Sequence, residues 1–388
     1  MSSIYLDFAA TTPLDPDVLR EMMPYLTQEF GNPSSIYQHG QSAKAAIVDA
    51  RLKVAAVLGM DPAEIVFTSG STESVNAALA GVAWAARKSG VATPHIVSTA
   101  IEHSAILESL AWLESVGFAV TLVGCDEFGM IDPGEIRQAI TPDTALISVM
   151  YANNEVGSVQ PVAEIAAIGH EAGVPLHVDA TQAAGELDIH SSALDADLVS
   201  ISAHKFYGPK GVGVLAVRRN VRIDWQQHGG GQEGGRRGGT ENVAGIVGLA
   251  SALIRANEYR DAYAQHCRTL RDALWAEIES AIEDAWLNGP RLDGPRLANN
   301  LNIGIPGVQG ETMLVNLDLA GIAASAGSAC SVGKNEPSHV LLAMGRSVEE
   351  ARSSLRMTVG RPTSEAEILE AGEAIIEIAA RVRDLAPR

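Results

Sequence analysis

Seven short runs rich in β-branched and apolar residues, at 64–68, 95–99, 119–123, 145–151, 176–179, 198–202 and 213–217, alternate with helix-type stretches such as 71–88, 104–115, 162–171 and 180–185. Alternation of this kind requires crossover connections. Crossovers of one hand lay the strands parallel and put helices on both faces, so the predicted fold is α/β with a mainly parallel seven-stranded sheet. Beyond about residue 242 the pattern changes to a long helix at 243–274, short strands near 301–303 and 312–317, and a terminal helix at 364–385. A chain of 388 residues exceeds what one core usually serves, and the change of pattern puts a boundary to a smaller α+β domain near residue 260.

In parallel sheets ligands gather beyond the carboxyl ends of the strands. Thr72, His103, Asn154, Asp179 and Lys205 each follow a predicted strand. Asp179 closes Leu176-His-Val-Asp179, and Lys205 lies in Ser202-Ala-His-Lys205. A lysine amine and a carboxylate so placed are the minimum needed to hold pyridoxal 5'-phosphate. The amine forms a Schiff base, and the carboxylate keeps the pyridine nitrogen protonated so that the ring acts as an electron sink.

An anion site is readable in Phe67-Thr-Ser-Gly-Ser-Thr-Glu-Ser74, where a strand passes through a glycine turn into a helix. The free N–H groups of that helix start, with the Ser71 and Thr72 hydroxyls, suit a phosphate, and they equally suit plain N-capping. Ser202 and His204, flanking the lysine, complete such a cup. The glycine-rich run 229–240 is no Walker motif; it reads either as a flexible loop or as backbone in close approach to a phosphate or a neighbouring subunit. His103 is either a polar cap or an imidazole beside the cofactor ring, and Asn154 is either a turn residue or a donor to the ring hydroxyl or substrate.

Cys330 stands among small residues in Ala323-Ala-Ser-Ala-Gly-Ser-Ala-Cys330, outside any apolar pattern, where a thiol is open to chemistry and Lys334 favours its thiolate; a harmless loop cysteine is the other reading. Cys125 and Cys267 read as structural. The three cysteines are odd in number, widely spaced and without a CxxC pair, so neither a disulfide framework nor a metal site is expected. A net charge of −19 argues against an extended nucleic-acid or anionic-membrane footprint. The sequence has neither a spanning apolar run nor a signal-peptide start, and a cytoplasmic location is the expectation.

Nine blocks in order, Tyr5-Leu-Asp-Phe-Ala-Ala-Thr-Thr-Pro13, Gly31-Asn-Pro-Ser-Ser35, Thr68-Ser-Gly-Ser-Thr-Glu73, Asn153-Asn-Glu-Val-Gly157, Asp179-Ala-Thr-Gln182, Ser202-Ala-His-Lys205, Arg237-Gly-Gly-Thr240, Gly327-Ser-Ala-Cys330 and Glu336-Pro-Ser-His339 to Arg356, resemble the NifS/IscS-like cysteine desulfurases. These form part of the class V aminotransferase branch of the fold type I pyridoxal-phosphate enzymes. The resemblance implies a large cofactor-binding domain over 16–260 and a small domain of 1–15 with 261–388, carrying the cysteine loop at about 324–337. It implies that Lys205 carries the cofactor, Asp179 pairs with its ring nitrogen, Gln182 contacts its phenolic oxygen and His103 stacks on it. Ser71, Thr72, Ser202 and His204 would hold the phosphate, with Thr240 donated by the partner of a homodimer. Asn154 would orient substrate and cofactor, and Arg356 would clamp the substrate carboxylate. L-Cysteine would become L-alanine, with the sulfur held on Cys330 as a persulfide for a protein acceptor, in iron-sulfur cluster assembly or another thio-modification pathway.

Two departures stand out: Ala326 replaces a serine common in the family's cysteine loop, and Gln232-Glu-Gly-Gly-Arg-Arg237 replaces the usual basic approach to the Arg-Gly-Thr loop. Two other classes of function fit parts of the pattern. A relative that moves an amino group without a persulfide is opposed by Cys330, and a scaffold that has lost its cofactor is opposed by Lys205 with Asp179.

Overall fold

The computed structural model describes residues 4–326 and 336–385. Its central element is a seven-stranded sheet in the order Ile65–Thr68, Gly213–Val217, Leu198–Ser202, Leu176–Asp179, Thr144–Met150, His95–Thr99, Ala119–Val123. Only Gly213–Val217 runs antiparallel to its neighbours.

Side chains alternate across a strand, so a sheet covered on both faces sends successive apolar residues to two different cores. Ile96, Leu146, Leu198 and Leu215 pack with helices Ser71–Lys88 and Ser104–Ser115. Val97, Ile147, Val199 and Ala216, each one position further on, join the core beneath Gln38–Leu58, Val162–Ala172 and Val243–Glu258. A third apolar cluster lies apart from these. Leu270, Leu274 and Ile278 of helix Arg260–Ala281, together with Ile368 and Ile375 of helix Glu365–Leu385, pack on the antiparallel strands Asn300–Gly304 and Ser354–Thr358. A short parallel pair, Ile4–Tyr5 with Ile322–Ala323, joins the N-terminal segment to that cluster.

Three expectations need correction. Residues 180–185 form turns rather than a helix. Thr181 N–H donates to Asp179 Oδ1 at 3.0 Å, and Gly185 at φ +90° stops the single turn that Ala180 O accepts. Residues 312–317 belong to helix Gly310–Leu319, whose buried Met313 and Leu317 are spaced by four while Val315 faces solvent, a helical period in a β-prone composition. The long helix predicted at 243–274 breaks at Tyr259 (φ −98°, ψ 6°) into Val243–Glu258 and Arg260–Ala281. Helix Gln38–Leu58 was not foreseen because its buried stripe is largely alanine, at 43, 46, 50 and 55, which leaves little apolar contrast.

One close approach decides how the anion-site turn sits on the sheet. An ideal Cβ on Gly213 would lie 2.7 Å from Gly70 Cα and 2.7 Å from Ile201 O, both backbone atoms. Gly213→Ala is expected to destabilise the protein by about 1–3 kcal/mol through overpacking, measured as a lower denaturant midpoint. An unchanged midpoint would contradict the packing described.

Candidate active site

A cavity of about 540 Å³ opens beyond the carboxyl ends of the parallel strands, lined by Ser71, Thr72, His103, Asn154, Asp179, Gln182, Ser202, His204 and Lys205 among others. Nine of the residues singled out from sequence therefore converge on one hollow.

Lys205 ends a single 3₁₀ turn, Ala203–Lys205, at the tip of strand Leu198–Ser202. Its Nζ donates to Ala9 O at 2.5 Å and Ala10 O at 2.9 Å, so the N-terminal segment aims the amine. Gln182 Nε2 donates to the same Ala9 carbonyl at 3.0 Å. The turn is fixed from several sides. Thr12 N–H and Oγ1 donate to His204 O at 2.9 and 3.0 Å, and Tyr207 N–H donates to Thr12 Oγ1 at 2.8 Å. Tyr207 sits at φ +66°, a costly conformation for a non-glycine residue. It is held there by Arg361, whose N–H donates to Tyr207 Oη at 2.7 Å and whose guanidinium lies 3.7 Å from the ring centre.

Asp179 ends strand Leu176–Asp179 and is buried. Its Oδ1 accepts from Thr181 N–H at 3.0 Å, from Thr181 Oγ1 and from Ser200 Oγ at 3.4 Å, while Asp179 Oδ2 takes none of these bonds. Behind it a fully buried chain crosses the sheet: Ser200 Oγ to His177 Nε2 at 3.1 Å, and His177 Nδ1 to Ser148 Oγ at 2.9 Å. Burial pushes the His177 pKa down to about 4 against the pull of Asp179, so this ring is a neutral partner at pH 7.

At the other end Gly70 adopts φ +151°, ψ −179°, open only to glycine, and swings the chain from strand into helix Ser71–Lys88. The first N–H of the helix to find a helical carbonyl is Ser74, on Gly70 O at 3.1 Å, so those of Ser71, Thr72 and Glu73 precede the ladder. Ser202 and His204 line the same cavity, Ser202 Oγ lying 3.6 Å from where a Cβ on Gly70 would sit. Burial, with the charges of Lys205 and Lys210, pushes the His204 pKa down to about 4, and its Nδ1 lies 3.1 Å from Thr11 Oγ1. An anion-binding helix start, an ionisable carboxylate and an amine around one hollow of this size fit pyridoxal 5'-phosphate.

His103 caps helix Ser104–Ser115, its Nδ1 accepting from Ala105 N–H at 3.1 Å, and it also lines the cavity. Asn153 and Asn154 divide the tasks of their turn. Asn153 is buried and caps Glu155 N–H and Val156 N–H at 2.8 and 2.9 Å, while Asn154 lines the cavity.

Arg356, expected at the substrate, does not line the cavity, nor does Thr240, expected from a partner subunit. Arg356 is buried outside the lining, donating to Asp7 Oδ1 at 2.7 Å and to Asn154 O at 2.9 Å. Thr240 is exposed on the glycine-rich segment and does not line the cavity. Cys330 and Lys334 lie outside the described residues. Of the other two thiols, Cys125 is pushed up to about 11 by burial and Cys267 is pushed higher still, and neither lines the cavity.

Sequence reasoning missed Ala9 and Ala10, which act through carbonyls that carry no side-chain signal. It also missed Thr181, although a threonine two positions after an aspartate is a recognisable turn partner. Glu102 was missed as well. This fully buried carboxyl accepts from Thr99 Oγ1 at 2.7 Å and Met150 N–H at 2.9 Å on Oε1, and its Oε2 has no partner among the described residues. Burial pushes its pKa up to about 8, with the Asp179 charge adding to the rise.

The chain matches the aminotransferase class-V family over residues 4–370. It is 44% identical over 384 residues to cysteine desulfurase IscS of Dictyoglomus turgidum, covering 99% of this chain and 96% of that protein. Among solved structures, a NifS-like protein superposes with a TM-score of 0.91 at 37% identity, covering 98% of this chain and 100% of the other. A structure of SspA in complex with cysteine superposes at 0.79 and 35% identity, covering 92% and 99%.

The folded Glu102 carboxyl keeps its proton to about pH 8, whereas the unfolded chain releases it near 4.5. Between those values the folded state binds more protons, so this residue's contribution to stability falls as pH rises. Glu102→Gln lacks that dependence. Its stability relative to wild type is expected to climb between pH 5 and 8, by up to about 1.4 kcal/mol per pH unit, in urea titrations at several pH values. A difference that stays flat would show the carboxyl to be ionised.

Proposed function

The chain belongs to the class-V aminotransferase family and, within it, to the cysteine desulfurases, and from that premise we propose how its residues divide the reaction. The observation that carries the proposal is the convergence of Lys205, Asp179 and the helix start at Gly70–Thr72 on one cavity. Ser71, Thr72, Ser202 and His204 would hold the phosphate of pyridoxal 5'-phosphate, Asp179 its ring nitrogen, Gln182 its phenolic oxygen and Lys205 its carbonyl carbon. Once bound, that group supplies an electrophilic carbon and an electron sink for the substrate's α-carbon.

Asp179, gripped on Oδ1 by Thr181 and Ser200, presents its other oxygen to hold a proton on the ring nitrogen. Lys205 Nζ moves the proton at the substrate's α-carbon; its present hold on two backbone carbonyls keeps the amine at the cavity. His103, oriented by its cap bond and lining the cavity, would pack against the bound cofactor, and Asn154 would orient the substrate. Arg356 takes the substrate carboxylate in exchange for Asp7, the anion it now holds. The Cys330 thiolate then attacks the substrate sulfur. The new S–S bond forms as the carbon–sulfur pair passes to carbon, which takes up a proton and leaves as L-alanine, so no external oxidant is consumed. The persulfide on Cys330 passes to a protein acceptor, with iron-sulfur cluster assembly as the destination. Cysteine as substrate is supported by the relatives named as cysteine desulfurases and by the SspA structure that holds cysteine.

A homodimer is part of this reading. Thr240 is exposed and does not line its own chain's cavity, and the large apolar side chains of Leu26, Phe30 and Ile36 are exposed, Ile36 at 90%. A second copy would cover those side chains and receive Thr240. The division into 16–260 and 1–15 with 261–388 is proposed on the separate apolar cluster around Leu270 and Leu355. A cytoplasmic location is proposed as well; no helix among the described residues is long and apolar enough to cross a membrane.

Incubation with L-cysteine, alkylation and peptide mass analysis should find one added sulfur on the Cys330 peptide and L-alanine in solution. Lys205→Ala should abolish alanine formation, and Cys330→Ser should abolish persulfide while sparing cofactor binding. Sulfur transfer that survives Cys330→Ser would overturn the assignment of the acceptor thiol.

A further inference from the structure

Two carboxylates line the cavity. Asp179 has its task, but Glu73 sits in the first turn of the helix whose start is the anion site, where a bare negative charge would repel a phosphate. Arg237 stands on it in a fork, Nε to Oε1 at 2.9 Å and Nη2 to Oε2 at 3.2 Å, with only about a fifth of either side chain exposed. Ser69 N–H donates to the same Oε2 at 2.8 Å, drawing the carboxylate back toward the turn.

Arg237 belongs to the glycine-rich segment, which side chains dock along the open edge of the sheet. Glu233, with Gly234 and Gly235, adopts positive φ (+49°, +67° and +83°). In that conformation its buried carboxylate accepts from Arg51 at 2.9 and 2.5 Å and from Phe67 N–H, on the outermost strand, at 3.0 Å. Arg236 donates to Ala63 O and Ile65 O at 2.7 and 3.0 Å. Unpaired edge groups are thus covered without another strand, and the docked segment delivers Arg237 to Glu73.

We propose that Arg237 is a positioning residue for the cofactor phosphate, acting through Glu73 by cancelling its charge beside the helix start. The inference rests on pyridoxal 5'-phosphate being the occupant of the cavity. Burial alone would push the Glu73 carboxyl up, but its bonds from Arg237 and Ser69 and the Arg237 charge outweigh that and leave it below its ordinary value, fully ionised at neutral pH. Loss of Arg237 removes the cancelling charge but leaves the bond from Ser69 N–H, and an ordinary carboxyl is ionised well below neutral pH, so Arg237→Gln is expected to leave a negative charge beside the phosphate.

The test compares binding of pyridoxal 5'-phosphate with binding of pyridoxal, which lacks the phosphate, to wild type, Arg237→Gln, Glu73→Gln and the double variant. Arg237→Gln should weaken the phosphorylated ligand about tenfold, the scale of one uncancelled charge in a half-buried site, and leave pyridoxal within about twofold. The double variant should recover to within about threefold of wild type, because the charge that needed cancelling is gone. Pyridoxal binding also reports that each variant's site is folded. Equal losses for both ligands, no loss, or no recovery in the double variant would overturn the proposal. Failure of wild type to bind either ligand would instead overturn the cofactor assignment beneath it.

Discussion

The hold of the N-terminal segment on the Lys205 turn is the contact on which the rest of the site depends. Ala9 and Ala10 carbonyls receive the amine, and Thr12 bridges His204 and Tyr207. The same few residues reach the other apolar cluster: Ile4–Tyr5 pairs with Ile322–Ala323, Ala9 N–H donates to Thr358 Oγ1 at 2.9 Å, and Asp7 pairs with Arg356. Ser325 pairs with Arg356 through both backbone groups, at 2.6 and 3.0 Å, two residues before the undescribed stretch that contains Cys330. One strap therefore ties the amine at the carboxyl end of strand Leu198–Ser202 to the strand from which the cysteine segment departs.

The far side of that segment is tied to the same site. Ser338 donates to Glu155, beside Asn154, and His339 Nε2 lies 2.9 Å from Glu102 O, beside His103. His103 and Asn154 thus each have a sequence neighbour bonded to the C-terminal flank of the cysteine segment. The Ser338–Glu155 tie is buried and polar, where a missing partner costs most, and two ionisable groups near the cavity, Glu102 and His177, are fully buried as well. Glu102 and His177 settle this by taking their neutral forms, the first pushed up to about 8 and the second down to about 4, burial being the chief cause in both.

Much of this was legible in the chain, for physical reasons that differ by element. Strands buried on both faces read as continuous apolar runs, and strands 95–99, 176–179, 198–202 and 213–217 stand where the pattern put them, as does the half-exposed edge strand 119–123. Helices with a graded apolar face were equally plain, whereas the alanine-striped Gln38–Leu58 and the apolar run inside Gly310–Leu319 offered the wrong contrast. Site residues that act through a side chain at a strand end, such as Asp179 and Lys205, declare themselves. Those that act through a carbonyl, such as Ala9, or through a partner distant in sequence, such as Arg237 on Glu73, depend on tertiary packing that no local pattern encodes.

In the proposed reaction the Lys205 amine, selected by two backbone carbonyls, would anchor the cofactor. Lys210 lines the same cavity and offers a chemically equal amine that lacks this placement. Borohydride reduction of the protein saturated with pyridoxal 5'-phosphate, followed by peptide mapping, distinguishes them. The account predicts a pyridoxyl group on Lys205 in near-stoichiometric yield and none on Lys210; a label on Lys210, or spread over surface lysines, would contradict it.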